Sequence, residues 1–317
     1  MKFSSLQNRY RVLAFAALAF SAAPAFSADF YGPIQAQQDF QKANYLAIDQ
    51  KCDAALNGKE SDPKYYLVLI ERALGRPENN NPLRAWLVLN PRSSVAWASL
   101  GYLYKSYAYN YRAQGDTSSS QYTNMMNSYK TCVDRALLVA PQAAYINGLE
   151  IECLQGFGPD LDKMERYFKQ GQAFDKDCYW VYAARSSYLA HLANADWPTL
   201  KLFMQDTANK AAGESRLKML PVYYHELYAH VNPGILADYL AQRENWDDIK
   251  AVLGDYVWNH SGDVEACSWY ARLGSEAQKY PEAWKQFIKL DDNAYLFGGW
   301  ISKEDYVEKR KLAEKNH

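Results

Sequence analysis

In the run Trp97-Ala98-Ser99-Leu100-Gly101-Tyr102-Leu103-Tyr104, three large side chains recur at intervals of three and four residues. That spacing places Trp97, Leu100 and Tyr104 on one face of an α-helix. Gly101, with no Cβ, leaves a gap through which a second helix can come close. Such a helix is made to pack on another helix, and the rest of the chain reads the same way. Helical stretches follow one another with short breaks, and period-two strand patterns bounded by tight turns are scarce. The expected fold class is all-α, with helices over residues 34–57, 63–74, 82–89, 94–114, 119–140, 143–155, 160–174, 177–194, 197–211, 216–229, 233–243, 246–258, 263–279 and 281–289. Punctuation supports these boundaries. Asp62-Pro63 and Asn81-Pro82 set a capping residue before a first-turn proline, Pro159-Asp160 opens another helix, and Pro281 starts a late one.

The residues Trp97, Leu100, Gly101 and Tyr104 match the W-x2-L-G-x2-Y signature of the first helix of a tetratricopeptide repeat. Ala136 and Pro141 take the places of the second-helix alanine and closing proline if about sixteen residues are inserted between the helices. The segment Gly115 to Gln121, with its three serines, is the natural insertion site. Weaker echoes follow at Phe168, Gly171 and Phe174-Asp175, and at Tyr270, Leu273, Gly274, Ala283, Trp284 and Phe287. Helical hairpins of this kind cannot bury their apolar faces alone and are expected to stack into a tetratricopeptide-like α-α superhelix.

A more particular likeness lies between Trp86 and Pro141. Pro91-x-Ser93, Ala96, Leu100-Gly101, Ala108-Tyr109-x2-Arg112, Gly115, Ala136-Leu137 and Pro141 together resemble the uncharacterised domain-of-unknown-function family 4034, with Tyr109 where the family usually has Trp. The likeness covers residues 83–232, leaving C-terminal helical hairpins over 233–317. It implies a tetratricopeptide-like fold and no established activity.

At 49% hydrophobic and 22% charged residues, the chain has the composition of a folded protein rather than a disordered one. Its first residues carry Lys2, Arg9 and Arg11, then apolar Val12 to Phe20, then the small-residue segment Ser21 to Ser27. This is the layout of a secretory signal peptide, with cleavage after Ser27 leaving a helical-repeat domain over residues 28–317. The apolar stretch is too short to span a bilayer, and no later run is long enough to do so. The product is expected to be periplasmic or secreted. Losing residues 1–27 leaves 32 basic against 36 acidic residues, a net charge of −4 that disfavours a nucleic-acid partner.

Export puts all five cysteines, Cys52, Cys132, Cys153, Cys178 and Cys267, where disulfides are permitted. Cys132 and Cys153 stand about equally far from the break at Pro141-Gln142. If antiparallel helices meet there, both sulfurs reach the same height, and a Cys132–Cys153 bridge is expected.

Familiar catalytic patterns are missing or misspaced. His225 and His230, in His225-Glu226-Leu227-Tyr228-Ala229-His230, are five residues apart and so diverge by about 140° around a helix, unlike the one-turn pair zinc requires. His225 and His230 are expected at solvent or capping a neighbour. Ser215-Arg216-Leu217-Lys218 fits S-x-x-K without its companion motifs. Asp160, Asp162 and Glu165 lack the glycine and downstream glutamate of a calcium loop and suit a helix N-terminus. Glu304 and the lysines from Lys303 to Lys311 read as a solvated tail. No metal or cofactor is expected. Tyrosine is in surplus, 26 against 12 Phe, and suits wet, rigid recognition surfaces. The candidate binding residues are Tyr109, Arg112, Tyr223, Tyr224, His225 and Glu226. The expected function is a non-enzymatic scaffold of the bacterial envelope that binds a protein or peptide. A periplasmic immunity protein against a secreted toxin is the alternative, and an envelope hydrolase a more distant one.

Overall fold

The computed structural model describes residues 31–58, 61–113, 120–213, 215–232, 236–300 and 302–317. The expected signal peptide, residues 1–27, and most of the expected insertion site from Gly115 to Gln121 lie outside the described residues. The described residues form sixteen α-helices and no strand, confirming the all-α class. In chain order these are α1 (Pro33–Gln41), α2 (Tyr45–Asn57), α3 (Ser61–Leu74), α4 (Asn80–Leu89), α5 (Ser94–Ala113), α6 (Ser120–Val139), α7 (Ala144–Leu154) and α8 (Leu161–Phe174). They continue as α9 (Tyr179–Ala190), α10 (Trp197–Lys210), α11 (Leu220–Val231), α12 (Leu236–Ala241), α13 (Arg243–Asn259), α14 (Val264–Glu276), α15 (Tyr280–Phe287) and α16 (Lys303–Asn316).

The α5–α6 pair is the most extensive helix contact, and it is built as its sequence requires. Met126, Tyr129, Cys132, Val133 and Ala136 form one buried stripe on α6 at three- and four-residue spacing. That stripe lies over Gly101, where a Cβ would stand 3.2 Å from the Tyr129 ring and 3.3 Å from Cys132 Cβ. Trp97 Nε1 donates to Pro91 O at 3.0 Å, tying the start of α5 to the preceding turn.

Alternate helices stack as an inner layer: α3 packs on α5, α7 on α9, and α9 on α11. Helix α7 is buried at every residue except Glu152. From Glu265 to Ser275, α14 is buried throughout. The stack curls back on itself. The Tyr66 hydroxyl of α3 donates to Asp263 Oδ1, at the start of α14, at 3.4 Å across 197 residues of sequence. Between them lies Arg216, whose Nη2 is 2.6 Å from Asp263 Oδ2 and whose guanidinium sits 3.9 Å from the centre of the Tyr65 ring.

Four expectations are corrected. Residues 34–57 form two helices, because Ala43 adopts a left-handed φ of 54°. The turn brings Tyr45 onto Trp86, stacked at 5.4 Å, and Phe40 against both, and this aromatic burial offsets the local strain. Residues 216–229 begin as a 3-10 turn, Arg216–Met219, before α11. The charged tail is a packed helix, α16: Ser302 accepts from Asp305 N at 3.2 Å, and Tyr306 and Ala313, two turns apart, are fully buried. A stripe that narrow is masked by the charges around it.

The fourth correction concerns the disulfide. Cys132 and Cys153 are not bonded; all five cysteines are buried free thiols. Equal distance from a turn sets height but not direction around the helix. Cys132 faces Gly101 of α5, whereas Cys153 lies among Tyr129, Glu150 and Lys130. Burial pushes the Cys132 thiol up to about 12 and holds the Cys153 thiol well above the ordinary thiol value, so both are protonated, inert packing groups.

Candidate inner-face binding site

One turn above the α5 glycine, Lys105 points into the inner layer and forms an ion pair with Glu152, the one residue of α7 that is not buried. Arg72 of α3 approaches the other Glu152 oxygen at 3.6 Å and donates from Nε to the Tyr102 hydroxyl at 3.2 Å. Burial opposes ionisation of Glu152, but Lys105 and Arg72 overcome it and hold the carboxyl below its ordinary range. The cations are walled by rings. Lys105 Nζ lies 5.4 Å, 5.5 Å and 5.7 Å from the centres of Tyr102, Tyr109 and Tyr129, and Arg72 lies 4.6 Å from Trp180.

The seam continues along α9, α11 and α14. Trp180 stacks on Tyr65 at 5.0 Å and donates to Tyr65 O at 2.8 Å. Tyr179 meets Tyr223 at 6.3 Å. One turn along α11, Glu226 pairs with Arg272 and accepts from Trp269 Nε1 at 2.7 Å. Arg272 also holds Glu276 at 3.2 Å. Seven helices thus contribute to one polar, aromatic surface. It stays open to solvent, with the Arg72 side chain 41% exposed and Tyr109 41% exposed.

The candidate residues read from the sequence divide between faces. Tyr109, Tyr223 and Glu226 belong to this surface. Arg112 is exposed at the end of α5 and takes part in none of these contacts. Tyr224 and His225 are on the opposite side of α11, since each residue turns a helix by about 100°. Tyr224 packs edge-on against Trp197. His225, expected at solvent or capping a neighbour, is not at solvent. It is buried, its Nδ1 is 3.0 Å from the Tyr239 hydroxyl, and burial depresses its pKa to about 4 despite Asp248. His230 is exposed, and no cluster of metal-ligating side chains occurs among the described residues. Ser215 caps the 3-10 turn by accepting from Leu217 N at 3.3 Å. Asp160 caps α8 by accepting from Lys163 N at 3.0 Å, the helix-terminal role expected of it.

Arg72, Lys105, Glu152 and Trp180 were not among the candidates, although three of them carry a signal. Arg72 ends the run Tyr65-Tyr66-Leu67-Val68-Leu69-Ile70-Glu71-Arg72, and Glu152 falls in Gly148-Leu149-Glu150-Ile151-Glu152-Cys153-Leu154. A charge inside so apolar a run must find a partner or a cavity. Lys105, among five tyrosines, stands out in the same way. The neighbouring acids show the other outcome. Glu71 is buried with Tyr145 donating at 2.6 Å, and burial raises its pKa well above the ordinary value. Burial also lifts Glu150, 3.1 Å from Lys130, to about 7.

Comparison of the chain with family models, curated proteins and solved structures finds no match.

Proposed function

We propose that this is an exported, non-enzymatic helical-array protein whose inner face binds a peptide or protein. The observation that carries this reading is the inner-face seam, in which part-exposed Tyr, Trp and Arg side chains from separate helices are already held in place by ion pairs and ring contacts. Such residues anchor interfaces because they add large contact area with little rotamer freedom left to lose. A stack of helices also presents this surface as a continuous face rather than an isolated pocket. The resemblance to family 4034 implies no chemistry and does not narrow the ligand. Export is supported by the leader-like layout of the first 27 residues.

Affinity capture tests the binding role. A stoichiometric partner retained by wild type and by the outer-surface variant Leu202→Ser, but lost with Tyr109→Ala and Tyr223→Ala, is the expected result. Capture indifferent to both inner-face tyrosines, with the fold intact by circular dichroism, would refute it. Export is checked separately by mass analysis, where the mature chain should start at Ala28.

A further inference from the structure

Between the last turn of α3 and the middle of α5 lies a cleft of 370 Å3. Gly75 permits it, because a Cβ there would stand 2.5 Å from Ser99 O and 2.6 Å from Tyr102 Cβ, forcing the two helices apart. Every charged residue lining the cleft is a cation: Arg72, Arg76 and Lys105. Tyr102 and Tyr109 supply ring walls. Arg72 and Lys105 share a single carboxylate, Glu152, and Arg76 has no ion-pair partner among the described residues. Three cations against one ion-paired carboxylate leave the cleft lining with an excess of positive side chains among the described residues.

Holding like charges together is unfavourable, and more so beside protein than in open water, so the arrangement favours an incoming anion. Guanidinium groups offer planar, paired donors that match a carboxylate, and the ring walls exclude water from one side. The volume is at the small end for a ligand site and suits a carboxylate on a short stem.

We propose that this cleft is a carboxylate-binding subsite, with Arg72 and Arg76 supplying the donors and Lys105 the fixed charge behind them. The proposal rests on the inner-face binding reading and specifies its ligand chemistry: an acidic side chain of the bound peptide. Glu152 holds the cations in position and is itself the competitor that the ligand must share them with.

The test uses the full chain and fluorescently labelled short peptides with blocked termini, one rich in Glu and one with Gln at the same positions, alongside succinate as a free dicarboxylate. The Glu peptide should bind and the Gln peptide should not, with binding weakening as salt rises. Arg76→Glu, at the rim and outside the Glu152 pair, should lower affinity about tenfold or more, and Arg76→Lys should recover part of it. Glu152→Gln, if it keeps the native melting transition, should tighten the Glu peptide several-fold by removing the competitor. A merely structural role for Glu152 would not produce that gain.

Equal binding of the Glu and Gln peptides, or affinity unchanged by Arg76→Glu, overturns the subsite. Succinate binding that Arg76→Glu abolishes, without any binding of the Glu peptide, overturns the peptide source. Partner capture lost with Tyr223→Ala but untouched by Arg76→Glu would sink this subsite while leaving the inner-face reading standing. Capture untouched by either would sink both.

Discussion

Two junctions hold this molecule together by opposite means. Between α5 and α6, chain neighbours meet through a glycine gap, a tyrosine ring and a buried thiol. Between α3 and α14, segments 197 residues apart meet through Arg216 and Asp263, each almost fully buried, with Tyr65 and Tyr66 packed around them. An apolar contact loses energy in proportion to the atoms removed or forced in. A buried ion pair behaves differently, because each charge is tolerable only while the other is present.

The sharpest way to break the comparison is Asp263→Ala, which strands Arg216 in the interior. Urea unfolding should show a loss of about 3–5 kcal/mol, and replacing both partners together, Arg216→Met with Asp263→Leu, should recover most of it. A loss in Asp263→Ala no larger than that of a surface substitution would mean that the pair does not hold the junction. Gly101→Val attacks the other junction. Its branched side chain enters a space where a single Cβ already stands 3.2 Å from the Tyr129 ring, and the expected cost is about 1–3 kcal/mol by the same measurement.

pH sharpens the contrast further. Beside the ion pair, Glu265 accepts from Gly298 N at 3.1 Å, and burial lifts its pKa from 4.5 to about 7. The unfolded chain therefore releases this proton first. The stability that Glu265 contributes is complete below pH 4.5 and is lost as pH rises to about 7. On the outer side of α11, His225 is depressed from 6.5 to about 4, so its contribution is complete above pH 6.5 and is lost as pH falls toward 4. Unfolding midpoints across this range should lose the first slope in Glu265→Gln and the second in His225→Gln. Slopes unchanged in both variants would contradict the assignment. The smallest effect belongs to the surface. Arg243 and Asp247 are 3.5 Å apart with side chains 93% and 61% exposed, and Asp247→Ala should move stability by less than about 0.5 kcal/mol.

The two junctions differ as much in legibility as in energetics. Trp97, Leu100, Gly101 and Tyr104 announce a packed helix because the spacing that carries the message is contained within two turns. Ala136, at the same remove on α6, is buried where that reading requires. The Arg216–Asp263 contact has no counterpart in local pattern. Arg216 stood in what resembled a fragment of a catalytic motif, and Asp263 at an ordinary helix start. The inner-face site is intermediate. Tyr109, Tyr223 and Glu226 were visible as members of tyrosine-rich runs, but the same runs also offered Tyr224 and His225, which face the other way.

Helix type, helix order and most boundaries were written in the sequence by itself, because backbone periodicity and capping are settled among residues within about four positions of one another. Only the tertiary structure decided which charges meet. Glu152 and Glu150 are two residues apart on α7, yet one is ionised between Lys105 and Arg72 while the other is pushed up to about 7. It likewise decided that Cys132 and Cys153 stay unbonded and that α3 closes onto α14. Each of these outcomes depends on distances and directions between segments far apart in the chain, and Coulomb energy and desolvation respond to those distances rather than to spacing in sequence.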